Sequence, residues 1–296
     1  MSRGRFDAVL AWAAGVVGEH ATVAEVDSLH ESAHRGSGTF RLRIEDNSTT
    51  TEMVLRVPVP GWIGANMLAT GARALQLADE HGLDAPRLIA SDLDGEHTGQ
   101  PATLETLLPG SSEPPERVSQ ARLEAAGAAI AKIHAVPLTP AHHLPYRPRP
   151  IAVDDFAGDR RAGQMPTTEL LQEADKQLRA MGTPAQESVF VHGDVWGGNM
   201  LWDGDVCLAL IDWKTAGAGD PGVDLGELRK QMALQYGPDA PAHVLNGWQR
   251  QAGRNAVNVA YWDAVAALNT PTELDTAEVT ARRDAFLQTA LDHMPT

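Results

Sequence analysis

Val189-Phe-Val-His-Gly-Asp-Val-Trp-Gly-Gly-Asn-Met-Leu-Trp202, followed shortly by Cys207-Leu-Ala-Leu-Ile-Asp-Trp213, decides how this chain is read. The pattern is an apolar strand, a tight polar loop, and a second apolar strand ending on a carboxylate, so a hairpin is expected. His192, Asp194, Asn199 and Asp212 are the polar side chains that such a hairpin can turn inward together. A carboxylate and an amide share the loop, and a second carboxylate lies one strand away. That set can take a proton from a hydroxyl and hold a divalent metal beside it. The competing reading is a turn stabilised by Asx-type hydrogen bonds from Asp194 and Asn199. Finding His192, Gly193, Asp194, Asn199 and Asp212 together in this order favours chemistry.

The surroundings narrow the class. With 24 Lys and Arg against 39 Asp and Glu, the formal charge is -15, which repels nucleic-acid phosphates and anionic membranes and attracts small cations. Neither nucleic acid nor membrane is an expected partner. Cys207 is the one cysteine, so an intrachain disulfide or a cysteine zinc site is excluded, as suits a reducing compartment. No apolar run reaches membrane-spanning length, and the N-terminus leads into a helix without a signal segment. A soluble, cytoplasmic protein is expected.

Upstream, residues 6–19 carry helical periodicity. Strands are expected over 22–29, 39–44 and 51–57, a helix over 67–81, and strands over 88–91 and 102–107. Pro58 and Pro60 end the third strand. Pro109-Gly-Ser-Ser-Glu-Pro-Pro115 is the clearest break. Beyond it helices dominate, over 116–134, 168–181, from Asp220-Pro221 to Gly237, 242–268 and 273–294. The expected fold class is α+β, with a small antiparallel-sheet lobe (1–107) and a larger, mostly helical lobe (108–296).

His-Gly-Asp-x-x-x-x-Asn at 192–199, Ile-Asp-Trp at 211–213 and Gly-Asp-Pro-Gly-Val-Asp-Leu at 219–225 together resemble the aminoglycoside phosphotransferase family. That family has a bilobal, protein-kinase-like fold and includes other small-molecule kinases. The resemblance implies Asp194 as catalytic base, His192 as an organiser of the catalytic loop, and Asn199 and Asp212 as Mg²⁺ ligands. Asp224 resembles the aspartate that holds the loop from behind, and Asp220 serves a helix start. Gly193 stands where protein kinases carry Arg, so control through an activation-loop phosphate is not expected.

The N-terminal half departs from the family pattern. Arg56, in Val54-Leu-Arg-Val57, stands where a phosphate-contacting Lys is usual. The helix expected to supply its Glu partner has no acidic residue before Asp79. Gly36, Ser37 and Gly38 are expected to bring backbone amides and a hydroxyl to phosphates, and Glu105 to Leu107 to present backbone groups to the purine of ATP or GTP. Glu227, Asp263 and Trp196 are candidate acceptor contacts, with Asp154 and Asp155 as further acidic groups.

The resemblance implies Mg²⁺-dependent transfer of the γ-phosphoryl of ATP or GTP to a hydroxyl of a small cationic molecule, such as an aminoglycoside or amino sugar. Antibiotic resistance is one expected role. A kinase of a metabolic alcohol such as choline or homoserine is the alternative. A nucleotide-binding pseudokinase is a third reading, motivated by the missing Glu and by Arg56.

Overall fold

The computed structural model describes residues 3–29, 38–58, 64–184 and 188–294. Gly36, Ser37 and Pro60 lie outside these residues. The described chain divides into two compact units, Met1–Pro109 and Gly110–Thr296.

In the first unit, helix α1 (Arg3–Val17) precedes strands β1 (Thr22–Ser28), β2 (Thr39–Asp46) and β3 (Thr49–Arg56). Helix α2 (Gly64–Glu80), β4 (Leu88–Asp92) and β5 (Ala102–Thr106) follow. The strands form one antiparallel sheet in the order β1-β2-β3-β5-β4. Asn47, with φ of 53°, closes the β2–β3 hairpin in the left-handed conformation that asparagine tolerates. Alternation along β2 and β3 sends Leu42, Ile44, Met53 and Leu55 to one face, where they pack with Leu104 against Val9 and Ala13 of α1. Phe6 of α1 meets Phe40 of β2 at a centroid distance of 5.0 Å. β5 lies between β3 and β4, and all its residues from Ala102 to Glu105 are buried.

The second unit contains α3 (Gln120–His134), α4 (Phe156–Arg161), α5 (Glu169–Met181), β6 (Val189–Val191), β7 (Met200–Asp203), β8 (Val206–Leu210), β9 (Gly217–Gly219), α6 (Gly222–Tyr236), α7 (Ala240–Ala252), α8 (Val259–Leu268) and α9 (Ala277–His293). Capping sets several helix starts. Ser119, Asp155, Thr168 and Thr276 each accept a backbone N–H of the first turn. Asp220 Oδ1 accepts the N–H of Gly222 at 2.7 Å and so opens α6. The core joins α6, α8 and α9 through Val223, Trp262, Phe286 and Leu287, with Leu171 of α5. At Gly127 a Cβ would lie 2.0 Å from the carbonyl oxygen of Val244, so α3 and α7 approach as closely as they do only because that side chain is missing.

Several expectations change here. The stretch that opens the sequence reading is two ribbons instead of one hairpin. β6 pairs with β9, and β7 pairs with β8. β9 is too short, with two glycines in three residues, to leave a periodic signal. The helix expected over 242–268 is two helices, parted by Gly253 at φ 66° and Asn258 at φ 55°. The six-residue α4 carries too few turns to show a period. No helix among the described residues is long and apolar enough to cross a membrane.

Candidate active site

The loop between β6 and β7 is held from behind by one carboxylate. Asp224, in the first turn of α6 and fully buried, accepts the backbone N–H of His192 at 2.7 Å and that of Gly193 at 2.8 Å. His134, at the end of α3, meets the same carboxylate through Nε2 at 3.1 Å. The indole N–H of Trp248 donates to His134 Nδ1 at 2.9 Å. With that nitrogen accepting, the ring proton sits on Nε2 and points at Asp224. Burial pushes the Asp224 carboxyl up, but the hydrogen bond from His134 and the loop amides more than offset this and hold it below its ordinary value.

His192 is a scaffold. Its side chain is buried, Nε2 donates to the carbonyl of Ile211 at 2.9 Å, and Nδ1 accepts the N–H of Asp194 at 3.3 Å. Burial holds its pKa down, which keeps the ring neutral with both nitrogens engaged. Trp213 packs against it at 4.6 Å between ring centroids and stacks on Phe190 at 5.3 Å. Gly193 has φ of 80°, and a Cβ there would lie 2.3 Å from the carbonyl oxygen of Thr215. The loop needs glycine on both counts, which gives a local reason for the absence of an arginine at this position.

Asp194 follows directly. Burial raises its pKa to about 7, assisted by the nearby negative charges of Asp212 and Glu227 and opposed by Lys214 and by the amide of Asn199. A carboxylate titrating near neutrality is matched to taking a proton from a hydroxyl.

Asn199 and Asp212 are brought together by the backbone. The N–H of Ile211 donates to the carbonyl of Asn199 at 2.9 Å, so Asp212 begins one residue from the amide. Asn199 Nδ2 donates to the carbonyl of Asp194 at 2.8 Å. Its Oδ1 is thereby left as an oxygen donor. Asp212 adopts φ of 68° and ψ of 57°, a left-handed conformation that bends the chain out of β8 and into a short 3₁₀ turn, Trp213–Thr215. One carboxylate and one amide oxygen are hard donors of the kind Mg²⁺ takes. They suffice when water and phosphate oxygens complete the shell. No cluster of three or more His, Cys, Asp or Glu able to hold a metal occurs among the described residues.

The other sequence candidates fall out differently. Glu227 is buried and bound to Lys230 Nζ by both oxygens at 2.8 Å, with Gln231 as a further donor. Asp263 is buried and clasped by the guanidinium of Arg229, at 2.9 Å from Nε and 2.8 Å from Nη2. Both carboxylates already carry a cationic partner, Lys230 for Glu227 and Arg229 for Asp263. Trp196 is 46% exposed on the loop, with its ring lying over Gly198. The N–H of Ile151 (φ 45°) donates to the carbonyl of Gly193 at 2.7 Å, which ties the segment carrying exposed Asp154 to this loop. Asp155 instead caps α4.

In the N-terminal unit, Arg56 Nε lies 3.0 Å from the carboxylate of Glu105. Glu105, expected to offer only backbone to a purine, is a buried partner carboxylate on the neighbouring strand. Leu107 is half-buried, just past the end of β5. Gly38 has φ of 31° and accepts the N–H of Val57 at 2.8 Å through its carbonyl.

Sequence reasoning missed His134, Trp248, Lys214 and Lys230. The last was within reach, since Glu227 and Lys230 are an i,i+3 pair on a helix. Lys214 stood in plain view two residues after Asp212. His134 and Trp248 left no local signal, because each occupies an ordinary apolar-face position of its helix.

An antiparallel-sheet unit with a helical unit carrying this loop defines the class of small-molecule kinases with the protein-kinase-like fold. Residues 32–268 match the family model for the phosphotransferase enzyme family, and the chain belongs to that family. Over 84 residues it is 34% identical to viomycin phosphotransferase of Streptomyces vinaceus, a match spanning 28% of that protein's length. In fold it is similar to the macrolide 2'-phosphotransferase MphH of Brachybacterium faecium, with a TM-score of 0.62, 20% identity and 98% of both chains covered. It is also similar to a thermostable mutant of the aminoglycoside phosphotransferase APH(4)-Ia in a ternary complex with ADP and hygromycin B. There the TM-score is 0.62 at 16% identity, with 100% of both chains covered.

Proposed function

We propose that this protein transfers the γ-phosphoryl group of a nucleoside triphosphate to a hydroxyl of an antibiotic-like small molecule. The observation that carries the reading is Asp194, a half-buried carboxylate whose desolvation poises it near neutrality, on the loop whose Asn199 is joined by backbone to the strand leading to Asp212. Asp194 would accept the hydroxyl proton as the oxygen attacks in line. Asn199 and Asp212 would hold Mg²⁺, which when bound would supply positive charge to offset that of the transferring phosphoryl group. Arg56, kept in place by Glu105, would add a guanidinium to the phosphates.

Relatives named for viomycin, a macrolide and hygromycin B support an antibiotic as the acceptor class. With Glu227 and Asp263 neutralised, an amine on the acceptor would find Asp154, whose segment is tied to the catalytic loop, and the exposed face of Trp196. Partial desolvation and the neighbouring Asp159 push the Asp154 carboxyl up, so a bound cation there would also relieve repulsion. ADP release with Mg²⁺, measured across viomycin, macrolides, hygromycin B, other aminoglycosides, choline and homoserine, tests the reading. Turnover with an antibiotic, lost in Asp194→Ala, is expected. Turnover with choline or homoserine alone would move the protein to the metabolic class. Tight nucleotide binding with no ADP release would make it a pseudokinase.

A further inference from the structure

Lys214 has no part in the reading above, yet it sits at its centre. Asp212 leaves β8 in a left-handed conformation, and in the 3₁₀ turn that follows Trp213 is buried while Lys214 is not. Trp213 is buried, with its indole N–H donating to the carbonyl of Leu210 at 2.9 Å. Lys214 remains one-third exposed and turns back, so that its ammonium binds the Asp212 carboxylate directly. Three carboxylates gather here: Asp194, Asp212 and Glu227. Glu227 has its own cation in Lys230, and Lys214 acts on both Asp212 and Asp194.

We propose that Lys214 is a built-in stand-in for the metal: in the nucleotide-free protein its ammonium occupies Asp212, and a divalent ion gains that oxygen only by displacing it. The inference rests on Asp212 being a metal ligand. A single ammonium neutralises a carboxylate without demanding a coordination shell. A divalent ion brings twice the charge, but Asn199 and Asp212 together supply two protein donors, well short of a full shell. Free metal therefore gains little at this site, while metal already carried on nucleotide phosphates brings most of its ligands with it. The flexible four-carbon stem and partial exposure of Lys214 let its ammonium swing toward solvent, which the buried Lys230 cannot do. Lys214 is thus a positioning residue that makes the site prefer the metal–nucleotide complex over free metal.

The test is Mn²⁺ binding to the nucleotide-free protein, read from the electron paramagnetic resonance signal of free Mn²⁺. Lys214→Met is expected to bind Mn²⁺ roughly five- to tenfold more tightly than the unaltered chain, the scale of one partly exposed ion pair. Lys214→Gln should follow it, Lys214→Arg should keep the weak binding, and Asp212→Asn should bind more weakly still. Equal affinity in the unaltered chain and both neutral variants, with Asp212→Asn weakened, overturns the role of Lys214 and leaves Asp212 a ligand. Unchanged affinity in Asp212→Asn removes Asp212 from the metal site and takes the inference down with it. Circular dichroism and thermal transitions of each variant establish that the comparison is between folded proteins.

Discussion

Arg56 on β3 and Glu105 on β5 form an ion pair at 3.0 Å on adjacent, hydrogen-bonded strands. The Arg56 side chain is 18% exposed and that of Glu105 6%, so solvent screens the pair only in part. Glu105→Ala is expected to destabilise the protein by about 2 kcal/mol, below the range for a fully buried pair. It should also raise the nucleotide KM several-fold by freeing Arg56. Urea unfolding and nucleotide titration check the two effects. Arg56→Lys should keep the stability and lose part of the affinity, since an ammonium does not fork across two oxygens.

Asp194 is expected to be a residue whose removal stabilises the fold. Its pKa rises from 3.8 to about 7 on folding, so between those values the native state holds a proton that the unfolded chain has released. The group's contribution to stability is therefore present in acid and lost as pH rises through about 7. In metal-free protein at pH 8, Asp194→Asn should be more stable than the unaltered chain, by an amount bounded at roughly 4 kcal/mol. At pH 4 the two should melt together. The same variant should show no measurable turnover. A thermal melt at each pH and an ADP-release assay decide both points.

Asp224 has the opposite sign. Hydrogen bonds hold its carboxyl below 3.8, so its contribution is present above that value and disappears as pH falls. Asp224→Ala strands the amides of His192 and Gly193 and the Nε2 proton of His134, and should cost about 3 to 5 kcal/mol. Loss of stability on acidification should be shallower in this variant than in the parent. Urea denaturation at pH 7 and at pH 4 gives the comparison.

Gly193→Ala asks a β-carbon to occupy space 2.3 Å from the Thr215 carbonyl at φ 80°. A loss of roughly 2 to 4 kcal/mol is expected, together with a fall in kcat larger than any change in nucleotide affinity. The split distinguishes distortion of the loop from general loosening.

Trp248→Phe removes the donor that fixes the proton of His134 on Nε2. The ring can then adopt the other tautomer, and Asp224 loses a donor for part of the time. A loss of about 1 kcal/mol is expected. Nitrogen chemical shifts of His134 should move from one tautomer toward a mixture, while a purely packing role for Trp248 would leave them in place.

The fold class and the main chemical loop were legible in the sequence because both depend on local patterns. Alternating residues over 39–57 and the spacing of Asp194, Asn199 and Asp212 speak within a few positions of one another. The pairing of β6 with β9 was not legible, since a three-residue strand carries no period. The neutralisation of Asp263 by Arg229 was also hidden, because the two are 34 positions apart and meet only through the packing of α6 on α8. The acidic candidates for the acceptor therefore looked freer than they are. Gly193 could be read as an arginine lost, but its contact with Thr215 becomes visible only when β9 is laid beside β6.

A carboxylate carried on a helix can be withdrawn by tilting or rotating that helix, which makes such a pair a point of control. Here the carboxylate is on the strand next to the cation, where Val54 faces Glu105 and Arg56 faces Thr103 across the ladder. Strand register cannot slip by one residue without turning every core side chain outward. The cation and its counter-charge are thus assembled together as the sheet folds, by strand pairing instead of by the setting of a helix.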